Sequence, residues 1–354
     1  MIRITLALLL LASPAFAQSG HQGHATPTAK APAAHGHAQH HPAGAARGHD
    51  MTPVDVTGAP MASPDARGAQ TLASRVVDGV REFELKTGVV RWHILPKVMV
   101  GAYAYNGQVP GPTIRAKPGE RIHVKLTNGL KEPTTVHWHG IDVPFDQDGI
   151  PGMSQKPIAP GATHAYAFTV PDTPGTFFYH THVNADRQQA LGLYGAFIIE
   201  DAKAQAYAQE HIIQLGEWSV APDGSTLPAM DHDGMRPNYF TFNGKASPST
   251  ETVKAKVGDR LLFRIVGTGQ FIHPIHIHGP AFTIVAMDGH TLPEAARVRK
   301  DTVLIGPGER YDLAWVPTRP GKWMLHCHIN HHATNDGVED GHGGGMMMVI
   351  DVAG

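Results

Sequence analysis

The hydrophobic positions of this chain fall in short alternating runs, such as Arg121 to Leu126 and Leu261 to Val266, separated by Pro-Gly and Gly-Asp turns. A period of two puts apolar side chains on one face of an extended segment and polar ones on the other. Many such runs with turns between them predict antiparallel β-sandwiches with Greek-key connections rather than helices.

The runs occur twice in the same order. One copy reads YNGQVPGPTIRAKPGERIHVKLTN, TTVHWHG and IAPGATHAYAFTVPDTPGTFFYHTHVNADRQ, and closes on GAFIIE. The other reads FNGKASPSTETVKAKVGDRLLFRIVG, HPIHIHG and IGPGERYDLAWVPTRPGKWMLHCHINHHA, and closes on MMMVID. The repetition predicts two related domains, 76–203 and 204–354, each large enough for its own core.

What precedes them has another character. Residues 1–17, MIRITLALLLLASPAFA, join Arg3 to an apolar run and end on Ala-Phe-Ala, which predicts a secretory signal peptide cleaved after Ala17. The mature protein is therefore expected to be exported, either periplasmic or secreted. Residues 18–75 are mainly Ala, Pro, Gly and His with few large apolar side chains, and are expected to form a disordered arm. His21, His24, His35, His37, His40, His41 and His49 lie in that arm, which reads either as a solvated linker or as a weak copper-gathering tail. No later segment is apolar enough to enter a membrane, and the formal net charge of −2 gives no hint of nucleic-acid binding. Neither a membrane nor a nucleic-acid partner is expected.

The candidate chemistry lies in four His-x-His pairs: His137 with His139, His180 with His182, His276 with His278, and His326 with His328. A single such pair in a strand is commonly a surface accident; four, one of them enclosing the chain's only cysteine, are not. Cys327 cannot form an intramolecular disulfide, and a thiolate between imidazoles suits copper. On a strand, His326 and His328 share one face while Cys327 points to the other, so one tripeptide can touch two metal sites.

Laying the two copies over one another shows where they differ. His276 and His278 fall on His137 and His139, and His326 and His328 fall on His180 and His182. His273, Cys327 and His332 fall on Thr134, Thr181 and Asp186, so a second kind of site exists in the C-terminal copy alone. Two histidine nitrogens and a thiolate with a weak axial thioether form the trigonal site that tunes copper for one-electron transfer. Met346 is the natural axial candidate, with Met347 and Met348 beside it. The paired histidines suit a cluster of coppers around one O₂, whose reduction to water takes four electrons.

These motifs resemble the multicopper oxidases, and in particular the two-domain, laccase-like members whose type 1 copper is in the second domain. The resemblance covers about Val76 to Gly354. It implies an all-β chain of two cupredoxin-like Greek-key β-sandwich domains, following the His-rich arm, with four coppers per chain. His137 and His276 would hold the type 2 copper. His139, His180, His182, His278, His326 and His328 would hold the type 3 pair. His273, Cys327, His332 and Met346 would hold type 1, with His332 nearest the reducing substrate. The family also places a proton-supplying acid where Asp148 stands in QDGIPG, although Asp148-Gly149 equally suits a tight turn. His331 and His342 match no ligand position. The chain departs from the family after His332, where an acidic, Gly-rich insert, ATNDGVEDGHGGG, precedes the methionines and is expected to loop out.

The implied activity is one-electron oxidation of a small phenolic or aromatic substrate coupled to reduction of O₂ to water. The alternative is a cuprous or other metallo-oxidase in copper tolerance, towards which the arm and the methionines lean. Copper nitrite reductase resembles the chain less, because its type 1 ligands belong to the first domain. A non-catalytic copper carrier or degenerate scaffold would be expected to have lost ligands. The cluster needs histidines from both domains, yet the first domain closes at Gly195-Ala196-Phe197 and the second begins near Gln209. So short a connector, together with the resemblance, implies a homotrimer in which each first domain meets the second domain of the next subunit.

Overall fold

The structure is a computed structural model that describes residues 52–201, 206–228, 237–339, 341 and 343–354. The expected signal peptide, the arm as far as residue 51, and His342 lie outside the described residues. Among the described residues the chain is built from strands, with one short α-helix, Ala185–Gln188, and no helix long and apolar enough to cross a membrane.

Each sequence copy forms two facing sheets. In the first, strands Ser74–Val77, Val80–Leu95, Arg121–Thr127 and Thr163–Thr169 pair in that order, with Val98–Tyr105 also on Val80–Leu95. They face the sheet Gly111–Ala116, Tyr194–Ile199, Gly175–His180, His137–His139 across a core that includes Ile122, Val124, Leu126, Trp138 and Phe197. In the second, the path Gln209–Val220, Leu261–Val266, Arg310–Trp315, Phe282–Met287 faces Val253–Lys256, Met347–Ala353, Gly321–Cys327, His273–Ile277, Thr302–Ile305.

Arg121–Thr127 behaves as its alternation predicts, with Ile122, Val124 and Leu126 buried and Arg121, His123 and Lys125 exposed. Leu261–Val266 does not: it is covered on both faces, as are Gly175–His180 and Tyr194–Ile199. These strands lie where the two sandwiches of one chain meet. There Thr176 Oγ1 donates to Asp312 Oδ1 at 2.6 Å and accepts from Arg264 Nη1 at 2.8 Å, while Arg264 also pairs with Asp312 and Glu210. A Cβ at Gly175 would sit 2.0 Å from the Gly289 carbonyl oxygen, so this crossing admits no side chain. A third apolar cluster, including Trp92, Val100, Val109 and Trp218, joins the sandwiches further along, and Trp92 Nε1 donates to Gly244 O at 2.7 Å.

Two expectations need correction. The sheets are mixed rather than purely antiparallel: Val80–Leu95 runs parallel to Arg121–Thr127, and Gln209–Val220 to Leu261–Val266. Residue alternation reports which face is buried and carries no information on strand direction, which follows from the long crossover connections. Residues 52–75 were expected within the disordered arm, but they lie along the body. Val54 N donates to Thr226 O, Ala62 N to Arg91 O and Leu72 N to Thr113 O, while Val54 and Ala59 are buried. The strap is held by backbone groups that strand edges leave unpaired, so it needs few apolar side chains of its own.

Candidate metal centre

His273 opens the strand His273–Ile277, and Cys327 ends the neighbouring strand Gly321–Cys327, with Ile275 and Cys327 in register. His332 comes from the short 3-10 turn Asn330–Ala333 that follows. Cys327 Sγ lies 3.8 Å from His273 Nδ1 and 3.5 Å from His332 Nδ1, and the two nitrogens are 3.1 Å apart. All three residues are buried. Burial pushes the Cys327 thiol up to about 12 and, with the neighbouring His273, pushes His332 down to about 3. Three soft or borderline donors thus converge in a buried pocket, an arrangement that fits copper and in which a metal cation would convert the thiol to a bound thiolate.

Met346 is fully buried beside this trio. Its carbonyl accepts from Cys327 N at 3.0 Å and its own N–H donates to His332 O at 2.9 Å. These bonds distinguish it from Met347 and Met348. The insert expected to loop out is therefore stapled at both ends, with Gly344 N also donating to Ala333 O at 2.8 Å. Asn335 fastens it further: its Nδ2 donates to Ser247 O and its Oδ1 accepts from Gly345 N.

The paired histidines gather in two quartets. In the first, His137 and His180 are in register on adjacent strands, and His139 Nδ1 lies 3.3 Å from His180 Nε2. His137 Nδ1 donates to Asp148 O at 2.9 Å, and His180 Nδ1 to Thr181 O at 2.8 Å. In the second, His276 and His326 are in register, and His278 Nε2 lies 3.1 Å from His326 Nε2. His276 Nδ1 donates to Asp301 O at 2.7 Å, and His326 Nδ1 to Cys327 O at 2.9 Å. The matching carbonyl contacts put the proton on Nδ1 and leave the Nε2 atoms unprotonated and facing the other rings of their quartets, which is how a hydrogen-bonded carbonyl orients a metal-binding imidazole. Burial holds His139 and His180 neutral, at about 4 and about 3.

The rings of His182 and His328 complete the quartets, with centroids 5.7 Å from His137 and His276 respectively, and both residues are exposed. No hydrogen bond or ring contact among the described residues joins one quartet to the other. The carboxylate of Asp148 lies at the first quartet, its Oδ1 3.2 Å from His137 Nδ1. His331 is exposed, beside Phe240, whose ring stacks on His332 at 4.0 Å between centroids.

Two further residues emerge only from the fold. In the first sandwich, at the position of the cysteine trio, Thr134 Oγ1 and Thr181 Oγ1 both donate to Gln188 Oε1, at 2.9 and 2.7 Å. A closed set of neutral hydrogen bonds occupies the place that the second copy gives to its buried trio. Glu217, on Gln209–Val220, lies with Oε1 2.6 Å from His273 Nε2. Neither belongs to a local motif, so no sequence signal singled them out.

Residues 87–204 and 219–352 match two families described as multicopper oxidase. The chain belongs to the multicopper oxidases. Among solved structures, the blue copper oxidase from Nitrosomonas europaea is 34% identical with a TM-score of 0.69, and the match covers 77% of this multicopper oxidase chain and 85% of that one. Copper resistance protein A of Escherichia coli is 35% identical over 61% of this chain and 35% of its own length. Laccase-2 of Botryotinia fuckeliana is 32% identical over 66% of this chain and 44% of its own length. The matches thus span less than half the length of these two curated relatives.

Proposed function

We propose that this chain is an exported oxidase that takes electrons singly from a phenolic or similar aromatic donor and delivers them to O₂, giving water. The observation that carries this reading is the tripeptide His326-Cys327-His328, whose sulfur belongs to the buried trio and whose imidazoles belong to the second quartet. When bound, copper would supply reversible one-electron chemistry at the trio and a place for O₂ to be reduced at the quartets. His273, Cys327, His332 and Met346 would hold type 1, His137 and His276 type 2, and the remaining six paired histidines type 3.

The chain's own groups do the rest. Phe240, itself fully buried, stacks on the ring of His332, and His331 is the exposed ring beside them, so a donor docks against His331 rather than on the buried imidazole. The backbone of Cys327 connects the trio to both flanking imidazoles, giving electrons a nearly covalent route. Asp148, beside His137, supplies protons on the oxygen side. The Thr134, Thr181 and Gln188 set argues against nitrite reductase, whose electron-transfer copper belongs to the first domain.

The two open quartets support assembly of each cluster between subunits, in a homotrimer where the first sandwich of one chain meets the second of the next. Phe145 and Met153 near the first quartet and Leu304 near the second are exposed apolar residues suited to such a contact. Oxidation of Cu(I) in copper tolerance is a second reading, favoured by the likeness to copper resistance protein A. Copper analysis of the purified protein, followed by parallel oxygen uptake with a phenol and with Cu(I), separates these readings. Four coppers per chain and faster uptake on the phenol support the first; faster uptake on Cu(I) supports the second; two or fewer coppers overturn both.

A further inference from the structure

Among the described residues, two carboxylates are buried in the second sandwich, and they are treated differently. Asp312 meets the guanidinium of Arg264. Glu217, equally buried, forms no ion pair with lysine or arginine among the described residues. Its Oε1 accepts from His273 Nε2 at 2.6 Å and its Oε2 from Gln270 N at 3.1 Å. The turn beyond is shaped around it, since a Cβ at Gly269 would lie 2.1 Å from both carboxylate oxygens. Burying a carboxylate without a cation is costly unless a positive charge arrives from elsewhere. The one ring it touches turns its other nitrogen towards Cys327.

We propose that Glu217 is a positioning residue for the trio. Its carboxylate fixes the proton of His273 on Nε2, keeping Nδ1 free for the metal, and its negative charge favours Cu(II) over Cu(I), lowering the reduction potential of the centre. Hydrogen bonding from a ligand histidine to a carboxylate both orients the ring and raises its basicity. The inference rests on reading His273, Cys327 and His332 as a copper site. It adds a device for setting the driving force: a more reducing centre accepts electrons less readily from the donor and passes them more readily to oxygen.

The test uses the full-length, copper-loaded protein and reads the midpoint potential from bleaching of the blue band in a redox titration. Glu217→Gln keeps an acceptor for the Nε2 proton and removes the charge. We expect the blue band to persist while the midpoint rises enough to shift the reduction equilibrium at least tenfold, about 59 mV for one electron. Glu217→Asp, which keeps the charge, should stay closer to wild type. A blue Gln variant with an unchanged midpoint overturns the inference alone, whereas a wild-type protein that loads copper without any blue band overturns the reading of the trio as well. Should the variants not fold, ¹H–¹⁵N NMR of the histidine-labelled, Cu(I)-loaded wild type tests the same geometry. A slowly exchanging proton on His273 Nε2 supports it, and an unprotonated Nε2 overturns it.

Discussion

His137 and Asp148 meet twice: the ring Nδ1 lies 2.9 Å from the Asp148 carbonyl oxygen and 3.2 Å from its carboxylate Oδ1. The carbonyl alone suffices to orient the imidazole, which leaves the carboxylate available for another task. Asp148→Asn should therefore retain copper and bleach normally with substrate under anaerobic conditions, while reoxidation by O₂ slows by about 10²–10⁴-fold, the usual cost of losing a general acid. Stopped-flow traces of the two half-reactions decide the matter. Equal slowing of both would assign Asp148 a structural role.

Cys327 is the only thiol and is buried against His273 and His332. Cys327→Ser should abolish the blue absorption and the turnover while the protein still folds, since a small buried hydroxyl costs about 1–3 kcal/mol if it finds no partner. Absorption spectra and thermal melts on the same sample measure both. A serine variant that stayed blue would sink the assignment.

Acid should destabilise the copper-free protein. His180 and His332 have an ordinary value of 6.5 when unfolded, and burial lowers both to about 3 in the fold. Between these values the unfolded chain binds protons that the folded one does not, so this stability is present above about 6.5 and is lost as pH falls towards 3. Each histidine contributes a slope of up to about 1.4 kcal/mol per pH unit. Denaturant midpoints of copper-free protein should fall steadily across that window, and a flat profile would contradict the buried, neutral state of these rings.

Mixing two inactive chains tests the assembly. A His137→Ala, His139→Ala chain lacks half of one quartet, and a His326→Ala, His328→Ala chain lacks half of the other. In mixed rings some interfaces combine two intact quartets, so part of the activity should return. Mixed assembly confirmed by mass spectrometry without any recovery would show that each cluster is built within one chain.

The paired histidines were legible because strand alternation is local and because the chain repeats itself, so one copy could be read against the other. The same comparison located His273, Cys327 and His332. Glu217 was not legible: it lies on a different strand from His273, and only the packing of the second sandwich brings the two together. Gln188 was hidden for the same reason, and the insertion after His332 concealed how tightly Met346 is tied to both Cys327 and His332. The strap at 52–75 misled because its composition suggests a chain with nothing to bury, whereas its backbone finds partners on strands already formed.

The ladder between His273–Ile277 and Gly321–Cys327 carries one further implication. It pairs His276 with His326 and Ile275 with Cys327, so donors of two chemically distinct sites are set by one alignment of two strands. A slip of a single residue would turn Cys327 outward among the imidazoles and His326 inward to the core. Both sites would be lost at once, without any ligand being mutated. Substitutions that loosen this alignment, even far from the donors, should therefore extinguish colour and oxygen chemistry together rather than one before the other.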